Sequence, residues 1–121
     1  MNVQNLFDLS GKTAIVTGGH RGIGLHMAKG LAEAGSNVVV CARNKEECEK
    51  AAADLQRFGV KAIGLACDVG NPEDVESLTR ETVKNFGSID ILVNNAGITW
   101  GASPEDMPLR EWNKVINTNL T

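Results

Sequence analysis

An α/β fold on a parallel sheet is what the sequence predicts, and three observations carry the prediction. Short β-branched runs alternate with longer stretches of helical periodicity. The second short run is apolar at nearly every position, as a strand must be when helices cover both faces. Glycine and proline fall at the ends of the helical stretches, where each is tolerated. Strands that alternate with helices make right-handed βαβ units, which require parallel pairing.

The elements follow in order. Thr13 to Val16 is the first strand, and Gly22 to Ala34 a helix with Ile23, Met27, Leu31 and Ala34 on its inward face. Asn37 to Ala42 is the second strand. Asn44 to Arg57 reads as a helix with Cys48, Ala51, Ala52 and Leu55 inward; Asn44 and Glu47 have the spacing of a capping box. Lys61 to Ala66 is the third strand. Pro72 to Phe86 is a helix with Val75, Leu78 and Phe86 inward, capped by Asn71. Gly35, Gly59 and Gly87 each close a helical pattern. Ile89 to Val93 is the fourth strand. A last amphipathic stretch starts near Pro108 and shows Leu109, Trp112, Val115, Ile116 and Leu120. Its stripe still runs at Leu120, so an end inside an element is expected, with a native fraying helix as the other reading.

The 121 residues suit one domain, spanning 1–121. A net charge of -3 argues against a general nucleic-acid binder, which needs surplus Lys and Arg. No apolar run approaches the roughly 20 residues of a membrane span, and the start lacks a secretory signal pattern. The three cysteines Cys41, Cys48 and Cys67 form no C-x-x-C pair, which points to reduced thiols and a cytoplasmic location. No Cys or His pair has finger-like spacing for zinc, so no metal is expected.

Chemistry concentrates after the first strand, in Thr17, Gly18, Gly19, His20, Arg21, Gly22, Ile23 and Gly24. Three spaced glycines lie where a strand turns into a helix. Gly18 suits a tight turn, Gly22 lets a pyrophosphate approach the backbone, and Gly24 lets the helix pack closely. The helix start would then offer amide donors and a partial positive charge to phosphates. On the glycines alone, a plain turn stays open.

The second strand narrows the choice. An NAD-binding unit usually carries an acidic residue about 20 residues past the first glycine. Here that stretch ends in Ala42, Arg43 and Asn44, with no carboxylate. Arg21 and Arg43 suit a ribose 2′-phosphate, which guanidinium groups grip with paired hydrogen bonds. NADP(H) is therefore favoured over NAD(H), two solvated surface arginines being the other reading. Asp68 after the third strand could accept from an adenine amine or simply belong to its loop. Asn94, Asn95, Ala96 and Gly97 after the fourth could let a cofactor lie against the backbone, tie strands together, or make a turn.

Together these motifs, with Asp68-Val69 and Asn117 to Leu120, resemble the short-chain dehydrogenase/reductase family. Within it, the segment Ile98 to Ala102 resembles the 3-oxoacyl-carrier-protein reductase and gluconate 5-dehydrogenase-like branch. The resemblance covers the whole chain but about the first half of a family member. It implies a doubly wound, Rossmann-like sheet, here in strand order 3-2-1-4, with the fourth strand as an edge. It also implies an oxidoreductase that interconverts a carbonyl and a secondary alcohol by hydride transfer. Asp68 and Val69 would contact adenine, and Asn95, Ala96 and Gly97 would line the cofactor. Asn119 would help hold a water in the proton relay. A homo-oligomer is implied for the full-length protein.

The family's acid is a Tyr, helped by a Lys four residues later and an upstream Ser, and this chain has no Tyr. On its own it is expected to be inactive; a non-catalytic nucleotide-binding module or an inactive fragment are the competing readings. His20 is placed with the cofactor-binding loop and not with the catalytic set. Lys45, Glu46 and Glu47 read as a solvated helix face.

Overall fold

The computed structural model describes residues 8–95. Along the chain run β1 (Thr13–Thr17), α1 (Gly22–Glu33), β2 (Asn37–Ala42), α2 (Lys45–Leu55), a 3-10 turn (Gln56–Phe58), β3 (Ala62–Ala66), α3 (Pro72–Phe86) and β4 (Ile91–Asn94). The four strands make one sheet in the order β3-β2-β1-β4, and every pair is parallel. Ile15 stands opposite Val39 on one side and Leu92 on the other. The chain therefore steps outward from β1 to β3, then returns to the far side of β1. In open α/β sheets the ligand crevice lies at such a reversal, outside the carboxyl ends of the strands.

Strand alternation sends side chains to both faces, and each face has its own core. Val16, Val38 and Val40 pack with Ala28 and Ala32 of α1 and with Cys48, Ala52 and Leu55 of α2. Ile15, Val39, Cys41 and Leu92 pack with Val75 and Leu78 of α3 on the other side. The expected two-faced burial of β2 is observed, since Val38 through Cys41 are all buried. Among the described residues no helix is long and apolar enough to cross a membrane.

Capping sets the helix limits. The Asn71 side chain accepts from the backbone N–H groups of Glu73 at 2.9 Å and Asp74 at 3.4 Å, and Pro72 opens α3. The Asn44 side chain accepts from Glu47 N–H at 3.1 Å. The Glu47 carboxylate turns to His20, so the reciprocal half of the expected capping box is replaced by a contact to another element. Gly35, Gly59 and Gly87 take the left-handed conformation expected of helix ends.

Two expectations are corrected. On α1 the buried residues are Gly24, Ala28 and Ala32, while Ile23 is 70% and Met27 44% exposed. The inward face is thus rotated by one residue, about 100°. The helix leaves β1 through a tight loop and lies so close to the sheet that only its smallest residues fit beneath it. β4 begins two residues later than expected because Asp90 serves as its anchor. The Asp90 carboxylate accepts from Thr13 N–H at 2.9 Å, and Asp90 N–H donates to Thr13 carbonyl oxygen at 2.9 Å. Strand pairing then starts at Ile91, opposite Ala14. On α3, Thr82 joins Val75 and Leu78 in the interior, its hydroxyl donating to the Leu78 carbonyl at 2.7 Å. The helix expected from Pro108 lies outside the described residues.

Candidate functional site

The strand ends and the glycine loop enclose a cavity of about 560 Å³. β1 and its loop contribute Thr17, Gly18, His20, Arg21 and Gly22. β2 and the start of α2 contribute Cys41, Ala42, Arg43, Asn44 and Glu47. Cys67, Asp68 and Val69 follow β3, and Asn95 follows β4. Of the residues expected at a cofactor, Gly18, His20, Arg21, Gly22, Arg43, Asp68, Val69 and Asn95 are brought together here. Ile23 does not line the cavity, and its side chain is exposed. Gly24 supports the loop from behind. Ala96, Gly97 and Asn119 lie outside the described residues.

The loop's shape follows from its glycines. Gly18 turns at φ +65 and its N–H donates to the Cys41 carbonyl at 2.8 Å, which prolongs the β1–β2 ladder. Gly22 has φ +59, and no atom lies within 4 Å of where a Cβ would stand. A side chain there would be both strained and in the way of anything approaching the backbone. α1 then begins at an extended Arg21 with no side-chain cap and no acidic residue in its first turn. The two other described α-helices differ: each has an asparagine cap and two acids in its first turn. Among the described helices, only α1 thus presents amide donors and dipole uncompensated.

One buried hydroxyl joins β1 to β4. Thr17 Oγ1 lies 3.0 Å from Asn94 Oδ1 and 3.3 Å from the Val93 carbonyl, and it accepts from Asn95 N–H at 2.8 Å. The Asn94 amide ties neighbouring strands, one of the roles the sequence left open for this segment. Thr17→Val is expected to cost about 1–3 kcal/mol, because Asn95 N–H loses its acceptor inside the fold. Thr17→Ser should keep most of the stability. Urea unfolding of the two variants checks this; a fully stable valine variant would contradict the assignment.

Two side-chain pairs border the cavity. Arg43 Nη2 lies 3.7 Å from Asp68 Oδ1. The Arg43 side chain is 81% exposed, so this pair is weakly held and readily exchanged. Asp68 is itself braced: Oδ1 accepts from Gly70 N–H at 2.9 Å, and its own N–H donates to Asp74 Oδ2 at 2.9 Å. His20 Nε2 lies 3.4 Å from Glu47 Oε2. The three cysteines are free and buried, as expected. A hydrogen bond with Cys67, together with burial, pushes the Cys41 thiol well above its usual range. Burial pushes Cys48 up to about 11.

Glu47 and Thr17 were not legible as site residues. Glu47 sits in a charged run that reads as solvent-facing, and only its position four residues past Arg43, at a helix start, hints that it borders the same recess.

Comparison with known proteins agrees with this geometry. The family model for short chain dehydrogenase matches residues 12–121. The chain is 41% identical over 115 residues to a rhamnolipids biosynthesis 3-oxoacyl-[acyl-carrier-protein] reductase of Pseudomonas aeruginosa, covering 95% of this chain and 44% of that protein. It is 40% identical over 120 residues to gluconate 5-dehydrogenase of Gluconobacter oxydans, covering 99% of this chain and 47% of that one. Among solved structures, L-sorbose reductase from Gluconobacter frateurii, complexed with NADPH and L-sorbose, superposes with a TM-score of 0.74 at 32% identity. That match covers 94% of this chain and 48% of the reductase. The chain thus spans less than half the length of these relatives. With a parallel 3-2-1-4 sheet, a glycine loop at its reversal and a family match from residue 12 onward, the chain belongs to the short-chain dehydrogenase/reductase family of oxidoreductases.

Proposed function

We propose that this chain is the dinucleotide-holding part of an NADP(H)-dependent oxidoreductase that interconverts a carbonyl and a secondary alcohol. The start of α1 carries the reading: it is uncapped, free of acids, and open at Gly22 to a cavity shared with Arg21 and Arg43. A diphosphate suits such a helix start. The recess, about 560 Å³, falls within the usual range of cofactor clefts.

In this reading Gly18, His20, Gly22, Ile23 and Gly24 form the diphosphate loop. Arg21 and Arg43 take the 2′-phosphate. Asp68 and Val69 border the adenine, while Asn95, Ala96 and Gly97 line the rest of the dinucleotide. Asn119 helps hold a water for proton relay. When bound, the nicotinamide supplies or accepts a hydride. No Tyr is present to protonate a carbonyl oxygen, so the 121-residue chain binds coenzyme without turning over. The full-length protein acts on a small carbonyl or alcohol as a homo-oligomer. The NADPH named with the sorbose reductase structure supports NADP(H) as a coenzyme of this fold.

Coenzyme fluorescence during titration tests the reading. NADPH should bind saturably and more tightly than NADH. Arg21→Gln and Arg43→Gln should each weaken NADPH by about tenfold, the scale of one charged hydrogen bond, and leave NADH unchanged. Equal losses for both coenzymes, or none, would remove the arginines from the assignment.

A further inference from the structure

His20 and Glu47 come from different elements and meet over the rim of the cavity. Nε2 of His20 is 3.4 Å from Glu47 Oε2. Nδ1 is buried and has no partner among the described residues, so Glu47 is the polar group that fixes the imidazole. The histidine side chain is 14% exposed, whereas the glutamate is 49% exposed and able to swing. Both also border a smaller recess with Arg21, Lys50 and Asp54, so the pair forms part of a partition between two openings. Arg21 lines both openings with Glu47, and Arg43 lines the larger one with it. A carboxylate paired with either guanidinium would compete with an incoming anion for the same donors.

We propose that His20 sets the coenzyme preference by tethering the Glu47 carboxylate away from Arg21 and Arg43, which leaves both guanidinium groups open to a 2′-phosphate. This makes His20 a positioning residue and Glu47 a specificity-determining one, and it rests on the dinucleotide reading above. The coenzymes NADPH and NADH differ only in the 2′-phosphate, so the ratio of their dissociation constants isolates the effect from any general damage to the fold.

Four variants of the chain, titrated with both coenzymes, test it. His20→Ala should lower the preference for NADPH about fivefold, the scale of one hydrogen bond. His20→Gln should keep the preference, because its amide reaches as far as Nε2 and can donate to Glu47. Glu47→Gln should raise the preference about threefold, by removing a negative charge near the phosphate. The double variant His20→Ala/Glu47→Gln should behave as Glu47→Gln, since no carboxylate is left to stray. The inference is overturned if His20→Ala changes both coenzymes alike, if it leaves the ratio unmoved because Lys50 takes the carboxylate instead, or if the double variant keeps the loss of His20→Ala. Failure of the unaltered chain to bind either coenzyme would instead overturn the dinucleotide reading, and this inference with it.

Discussion

Gly24→Ala is expected to collapse the glycine loop and cut dinucleotide affinity at least about tenfold. A Cβ at this position would run into the Gly18 carbonyl oxygen and stand 2.7 Å from Asn95 Nδ2. The first obstacle is backbone and cannot rotate away. Either α1 lifts from the sheet or the loop leaves the helix start, and both move Gly22 relative to the cavity. Overpacking of this kind costs about 1–3 kcal/mol in stability. Gly30, on the same helix, is the matched control because nothing lies within 4 Å of its would-be Cβ. Gly30→Ala should be neutral or stabilising by up to about 1 kcal/mol, from helix propensity. Thermal melts and NADPH titrations of the two variants separate close packing from general glycine effects. A Gly24→Ala variant that binds and melts like the parent would show that the loop does not need that contact.

The second large effect is expected at Gly64, in the middle of β3. A Cβ there would collide with the backbone carbonyl of Cys48 on α2. Helix and strand touch through main chain, which only glycine permits. Gly64→Ala should therefore push α2 off the sheet and destabilise the chain by about 2–3 kcal/mol, near the top of the overpacking range. The urea midpoint should fall while the slope stays constant. Coenzyme affinity should fall too, because Asn44 and Glu47 at the start of α2 form one wall of the cavity. Full stability with intact binding would mean that α2 tolerates a shifted seat.

What could be read in the chain was local chemistry. The asparagine caps at Asn44 and Asn71, the glycine helix ends and the apolar run of β2 are decided within a few residues, and all stand where expected. The spacing of Gly18, Gly22 and Gly24 likewise foretold the turn that the loop makes. Distances between elements were not legible. The inward face of α1 depends on how closely the helix approaches the sheet, and hydrophobicity alone selected Ile23 and Met27 over Gly24 and Ala28. The start of β4 depends on Asp90 reaching Thr13, 77 residues earlier. Thr17 looks like one more β-branched strand residue until Asn94 and Asn95 are beside it. Glu47 looks solvated until His20 is across from it.

The proposed function turns on the open amides at the start of α1 holding the diphosphate. Amide-resolved nuclear magnetic resonance of the ¹⁵N-labelled chain, titrated with NADPH, tests it most directly. The largest shifts should fall on Gly18, Gly22, Ile23 and Gly24, with the capped start of α3 at Glu73 nearly still. Saturation that leaves Gly22 to Gly24 unmoved, or shifts centred on the start of α3, would contradict it.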